Sequence, residues 1–275
     1  MAYKRLLTIQ DISCVGQCSL TVALPIISAC GVETAVLPSA VLSTHTAGFT
    51  GYTCRDLTDD FPAIEKHWKK ENLKFDAIYT GYLGSTKQVN YVLSIMKSSA
   101  KEKCVKIVDP AMADNGMLYP AFDKNYVNAM KKLVAVSDIV LPNITEACFL
   151  TGMEYKEVYD EAYIKELCKK LKALGAKKVV LTGVGYKKGR TGVVCYTNKY
   201  SYYEHKKEEK GRHGTGDVYA SAFAGALLNG KKLEDAARIA ADYTLLCIQH
   251  SQKGANFYGV KFEPEIKNLI KMLER

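Results

Sequence analysis

Gly211-Arg212-His213-Gly214-Thr215-Gly216-Asp217 runs directly into Val218-Tyr219-Ala220-Ser221-Ala222-Phe223-Ala224-Gly225-Ala226-Leu227-Leu228. Two glycines bracket a threonine, an aspartate follows at once, and an apolar, alanine-rich segment begins with the spacing of a buried helix. A Gly-x-Gly turn gathers several backbone N–H groups into one concavity without Cβ clashes. The first N–H groups of a helix have no intrahelical partner, so the turn directs partial positive charge at whatever sits there. That is an anion hole. The aspartate repels an anion, and instead fits a base beside a phosphate, taking a proton from an attacking hydroxyl. Alone, the same residues also make an ordinary helix entry, with glycine for the turn and aspartate for the macrodipole. The rest of the chain decides between the two.

Outward from that stretch, short aliphatic runs alternate with longer helical ones. Strands are expected at 6–10, 33–37, 75–79, 105–108, 138–141 and 178–181, and helices at 20–30, 61–70, 86–98, 126–135, 145–150 and 157–174. An antiparallel hairpin is expected from 190–196 and 200–205, and the last third reads as helices at 217–228, 233–249 and 264–273. Residues 38–52 read as a long polar loop whose Gly, Thr and aromatic content suits a binding flap. The alternation is that of a mostly parallel sheet with helices on both faces, an α/β three-layer domain with the hairpin at one edge. With no linker or repeat, one domain is expected over 1–275. Asp11, Thr80, Asp109, Asn143 and Thr182 each end an expected strand, on the rim where open α/β sheets bind ligands. Singly these are ordinary turn formers; five converging with the anion hole point to a site.

The composition narrows the choices. At 275 residues and 48% hydrophobic, the chain can bury one large core. Lysine plus arginine minus aspartate plus glutamate is 38 − 29 = +9, spread along the chain, which fits small anionic ligands; no nucleic-acid module appears, so no nucleic-acid partner is expected. Nine cysteines form no Cys-x-x-Cys pair; several lie in apolar runs and read as free thiols of a reducing, cytoplasmic setting. No apolar run approaches the ~20 residues of a membrane span. Gly225-Ala226-Leu227-Leu228-Asn229-Gly230-Lys231-Lys232 approaches a P-loop but follows a helix and lacks the final Ser or Thr, so it reads as a helix end. Gly183-Val184-Gly185 lacks the third glycine of a dinucleotide fingerprint. His67 and His250 read as surface or packing residues.

Gly214-Thr215-Gly216-Asp217, Ser43-Thr44-His45-Thr46, Thr80-Gly81-Tyr82-Leu83-Gly84, Asp109-Pro110-Ala111-Met112 and Pro142-Asn143-Ile144-Thr145-Glu146 together resemble the ribokinase-like superfamily. Within it, the Ser-x-His-Thr flap and the Gly-Tyr pair resemble the pyridoxal/pyridoxamine kinases, and Asp11-Ile12-Ser13 with Cys18-Ser19-Leu20-Thr21 resembles their bacterial pyridoxamine kinase subgroup. The resemblance covers essentially the whole chain. It implies MgATP-dependent phosphorylation of the 5′-hydroxymethyl of pyridoxal, pyridoxamine or pyridoxine, and a homodimer, and it leaves a monovalent-cation (K+) requirement open. It casts Asp217 as the base and Gly214, Thr215 and Gly216 as the phosphoryl cradle. Asp109, Asn143, Glu146, Thr182 and Gly183 would serve ATP, with Asp109 and Glu146 organising Mg2+ largely through water. Asp11, Leu42, His45, Thr46 and Tyr82 would face the substrate. Residue by residue, His45 also reads as a loop-packing histidine, Tyr82 as core and Glu146 as a helix-start acid.

Two departures stand out. Ala111 and Ala113 precede Asp114 where many relatives read Asp-Pro-Val-Met-Gly-Asp, which leaves the role of Asp114 open. Asp11 replaces a usual serine; its carboxylate can pair with a protonated ring nitrogen or an amine, or favour the aminopyrimidine of the hydroxymethylpyrimidine kinases of thiamin salvage. That kinase is the alternative within the class. A non-catalytic nucleotide-binding regulator is the alternative outside it, but it would be expected to have lost Asp217, Asn143 or Glu146. Lys210 or Arg212 would be placed to close over phosphate.

Overall fold

The computed structural model describes residues 3–46, 48–208, 213–252 and 259–274. Lys210, Gly211 and Arg212 lie outside the described residues.

The chain opens with β1 (Arg5–Val15), α1 (Leu20–Ala29), β2 (Glu33–Thr44) and a short β3 (Cys54–Asp56). Next come α2 (Phe61–Lys70), β4 (Phe75–Thr80), α3 (Thr86–Ser98) and β5 (Ala100–Val108). A two-residue ribbon, β6 (Ala113–Asp114) and β7 (Met117–Leu118), precedes α4 (Lys124–Ala135), β8 (Ile139–Val140), α5 (Ile144–Thr151) and α6 (Glu161–Ala173). The chain then forms β9 (Lys178–Val184), β10 (Arg190–Tyr196) and β11 (Tyr200–Lys206), followed by α7 (Thr215–Leu228), α8 (Leu233–Ser251) and α9 (Ile266–Glu274).

Among the described residues nine strands form one sheet in the order β11-β10-β9-β8-β5-β4-β1-β2-β3. The six from β9 to β2 run parallel, β10 and β3 run against them on either side, and β11 pairs antiparallel with β10 at one edge. Alternate residues of a strand point to opposite faces, which separates the core into two layers. Leu6, Tyr79 and Ile107 join Ile26, Phe223 and Tyr243 on the face of α1, α7 and α8. Leu7, Ile9 and Ile78 join Phe61, Val92, Met130 and Leu167 on the other face. The three-layer arrangement with an antiparallel hairpin at one edge is the one the sequence pattern implies, and the alternation of aliphatic strands with longer helices is its cause.

The expected loop over 38–52 is corrected. Its first half belongs to β2, which continues to Thr44 because β1 continues beside it: Ile12 pairs with Val41, Ser13 with Leu42 and Val15 with Thr44. Ser39 is hidden although polar, its hydroxyl donating to Tyr82 O (3.2 Å). Asp11 accordingly sits inside β1, at the register slip between Gln10 and Ile12, and the strand runs on past it. The helix expected from 157 starts at Glu161, where the Asp160 carboxylate accepts the Tyr163 amide (2.9 Å) and caps it. The 225–232 segment is a helix end: α7 stops at Leu228 and Gly230 takes a left-handed φ of 95°.

Candidate active site

Gly214 makes the turn into α7. Its φ is 79°, and a Cβ there would lie 1.8 Å from Gln17 O, so only glycine fits both the backbone conformation and the contact. That contact seats the α7 entry on the loop before α1, and the first helical bond, Val218 N to Gly214 O, is 2.9 Å. The first turn of α7, with its positive dipole end, thereby borders a cavity of about 440 Å³ lined by Gly214, Thr215, Gly216 and Asp217.

The same cavity gathers the other expected nucleotide-side residues: Asp109 after β5, Asn143 and Glu146 at the start of α5, and Thr182 and Gly183 at the end of β9. Asp114 lines it too. A second cavity, of about 230 Å³, lies between Lys231, Arg238 and Met272 and contains none of them.

Asn143 and Glu146 cap α5 reciprocally. Asn143 Oδ1 accepts the Glu146 amide (2.9 Å) and Glu146 Oε2 accepts the Asn143 amide (2.9 Å). The remaining ends are also engaged: Asn143 Nδ2 donates to Ala113 O (2.8 Å), and Glu146 Oε1 accepts the Met112 amide (3.1 Å). The pair thus ties the 112–113 backbone to the helix start.

The acids have little relief. Burial first, then the charge of Glu146, holds Asp109 well above the carboxylate range, although the Ala111 amide donates to it (3.1 Å). Burial raises Glu146 against the pull of its amide donors. Asp217, half-buried, is pushed up to about 7 by burial and by Asp109, with the Ser19 amide opposing. Burial also raises Asp11, opposed by Ser19 Oγ, which donates to it at 2.6 Å. None of these four carboxylates makes an ion pair among the described residues. Such an arrangement favours a bound cation or a proton.

The expected substrate residues do not line the cavity; they lie on its β1–β2 side. Asp11 is within electrostatic reach of both Asp217 and Tyr82. The Tyr82 hydroxyl is pushed up to about 12 by burial and then by Asp11, and its ring lies 5.4 Å from that of Phe122. Leu42 is buried in β2 opposite Cys54. His45 is buried, edge-on to Phe49 (5.1 Å) and 6.0 Å from the ring of His213. Neither of its ring nitrogens has a partner among the described residues, and burial lowers its pKa. Thr46 is exposed.

Several cavity residues carry no sequence signal. Thr191, Gly192 and Val193 of β10, His205 of β11, and Thr244 and Ile248 of α8 also line it. They come from three elements brought together where the hairpin extends the sheet edge against α8, and none belongs to a motif.

Comparison with known proteins gives consistent relatives. The phosphomethylpyrimidine kinase family model matches residues 24–260. A Bacteroides thetaiotaomicron crystal structure, provisionally described as a phosphomethylpyrimidine kinase, is 34% identical with a TM-score of 0.94 over 98% of this chain and 94% of that one. An orthorhombic form with pyridoxal is 33% identical with a TM-score of 0.91, over 97% and 96%. Pyridoxal kinase from Lactobacillus plantarum is 29% identical with a TM-score of 0.91, over 98% of both chains. The hydroxymethylpyrimidine/phosphomethylpyrimidine kinase of Aquifex aeolicus is 27% identical over 193 residues, 69% of this chain and 73% of that protein. The ribokinase-like fold and the family match over most of its length establish that this chain belongs to the phosphomethylpyrimidine kinase family, alongside the pyridoxal kinases.

Proposed function

We propose that this kinase transfers the γ-phosphoryl group of ATP to the 5′-hydroxymethyl of a vitamin B6 vitamer: pyridoxal, pyridoxamine or pyridoxine. The observation that carries the reading is Asp217, a half-buried carboxylate pushed up to about 7, at the helix start between the nucleotide-sized cavity and the Asp11–Tyr82 side. A base poised near neutrality suits proton abstraction from an alcohol. The acceptor oxygen bonds to Pγ, the bond from Pγ to the bridging oxygen breaks with its electron pair leaving on ADP, and the hydroxyl proton passes to Asp217. The turn at Gly214–Gly216 cradles the phosphoryl oxygens. Pyridoxal in the crystal of a 33% identical relative supports a B6 acceptor.

The acid-rich pole fits Mg2+ brought by the nucleotide. Asp109 and Glu146 have no ion-pair partner among the described residues, and no group of three His, Cys, Asp or Glu among those residues could hold a metal by itself. Both oxygens of Glu146 already accept backbone amides, which suits contact through water. Bound there, Mg2+ would neutralise phosphate charge.

A second reading, hydroxymethylpyrimidine phosphorylation, is favoured by the family match and by Asp11, whose buried carboxylate has no ion-pair partner among the described residues and suits an amino-bearing ring. Steady-state phosphorylation of the three vitamers and the aminopyrimidine alcohol, by wild type, Asp217→Asn and Asp11→Ser, tests both. Turnover of a vitamer that Asp217→Asn lowers about 10²–10⁴-fold is the expected result. Turnover of the pyrimidine alone would move the protein to the second reading. ATP binding without turnover of any acceptor would leave the non-catalytic reading.

A further inference from the structure

Among the described residues that line the 440 Å³ cavity, the basic side chains are two histidines, His205 and His213. His205 stands on β11, its Nδ1 2.8 Å from Lys206 O. His213 stands immediately before the Gly214 turn and is exposed. It belongs to both halves of the site. On one side it lines the cavity beside the start of α7. On the other its ring meets that of His45, with 6.0 Å between centroids and 64° between planes. His45 follows the end of β2 directly, on the side that holds Asp11 and Tyr82.

His45 is itself held in place. It is buried, and its amide donates to Val15 O (3.2 Å). Its ring lies against Gly16, whose φ is 136° and where a Cβ would come within 2.8 Å of His45 Nδ1. The next residue, Gln17, is the one whose carbonyl seats Gly214. The 16–17 loop therefore carries both contacts, and backbone that admits only glycine at 16 and 214 sets the two histidines against each other. His213 is left at the seam between the α7 start and the β1–β2 side.

We propose that His213 is a catalytic residue that donates a ring N–H to an oxygen of the phosphoryl group in flight. The assignment rests on the kinase reading of this site, and not on which alcohol is the acceptor. A phosphoryl group moving from a nucleotide in the cavity to an alcohol beside Asp11 and Tyr82 crosses that seam, its charge spread over three equatorial oxygens. The amides of the Gly214–Gly216 turn meet those oxygens from the helix side. An imidazole N–H supplies a donor from the side of the flap. Its part is electrostatic: no proton leaves His213, and the hydroxyl proton still passes to Asp217. A donor placed on the path of transfer, and not on bound ADP, acts on kcat more than on affinity.

His213→Ala removes the donor, and His213→Gln puts an amide N–H in its place; both leave the Gly214 turn intact. The measurements are kcat and KM with whichever acceptor alcohol wild type turns over, calorimetric affinity for ADP, and melting temperature. His213→Ala is expected to lower kcat about 10²-fold, with acceptor KM and ADP affinity within about twofold of wild type. It should melt within about 2 °C of wild type, as a substitution at an exposed position does. His213→Gln is expected to recover about tenfold of the lost kcat. A kcat within about twofold of wild type in His213→Ala overturns the assignment. So does an equal loss in His213→Gln, which would leave the ring only its packing against His45. Loss of ADP affinity to the same extent as kcat also overturns it, by moving the contact to the phosphates that stay behind. A raised acceptor KM at unchanged kcat would assign His213 to acceptor binding instead. Wild type that turns over no acceptor overturns the kinase reading and this assignment together, whereas wild-type turnover with unchanged kcat in His213→Ala removes this assignment alone.

Discussion

Asp217 answers two opposed demands. In the unfolded chain its carboxyl titrates near 3.8, and in the folded protein near 7. Between those values the folded state keeps a proton that the unfolded state has released, so stability present below about pH 4 is lost as pH rises to about 7 and is flat above. In the proposed reaction the same ionisation creates the base. Activity expressed as kcat/KM is therefore expected to fall about tenfold per pH unit below pH 7, in the range where the fold gains stability. Asp217→Asn separates the two. It should melt a few degrees above wild type at pH 8 and not at pH 4, since about 1–2 kcal/mol of buried-charge cost is removed, while turnover collapses. Melting curves of both proteins across pH 4–8 decide the matter: an offset that does not change with pH would mean that the carboxyl is not held out of its ordinary range. Asp109 and Glu146 shift in the same direction for the same reason, burial, so the acid pole as a whole trades stability for chemistry.

At the scale of elements, the start of α5 shows why a motif can be legible while its work is not. Asn143-x-x-Glu146 is visible in the sequence as a rim motif, and its spacing is that of a reciprocal cap. Its second set of bonds, to Ala113 O and from the Met112 amide, joins segments about thirty residues apart, which no local pattern encodes. Asn143→Ala is accordingly expected to cost about 1 kcal/mol, or 2–4 °C in melting temperature, as a lost cap, and also to raise the KM for ATP several-fold by freeing the loop that carries Asp109 and Asp114. A melting shift with no change in KM would reduce the pair to a helix cap. The helices of α2 and α3 and the strand β10 are legible to the residue because their patterning is local. The second half of β2 is not: Ser39, Ser43 and Thr44 read as loop, and only the neighbouring extension of β1 supplies the pairing that holds them extended. The turn into α7 is readable because glycine spacing is itself the constraint. The wall of β10, β11 and α8 is not, since ordinary aliphatic and small residues come to line a cavity only where the hairpin extends the sheet beside α8.

The whole molecule sets a long-range field against a local one. Its formal charge is +9, yet the part of the cavity where phosphate would sit carries Asp109, Glu146 and Asp217, with no lysine or arginine among the described lining residues. Far from the surface a polyanion is attracted; at the site it meets carboxylates, the α7 dipole and whatever cation accompanies it. The two regimes respond differently to salt. Attraction by dispersed surface charge fades beyond a screening length of ~10 Å at 0.1 M ionic strength, while contacts inside a half-enclosed cavity are screened much less. Raising salt from about 20 to about 200 mM is therefore expected to slow association of the Mg-nucleotide several-fold and to change its dissociation rate by less than about twofold. The acceptor alcohols, which carry little net charge, should show almost no salt dependence in KM. Stopped-flow binding of a fluorescent ATP analogue at the two salt concentrations measures both rates. If dissociation carried the whole effect, the dominant charges would be those lining the cavity, and the positive surface would have no part in capturing the nucleotide.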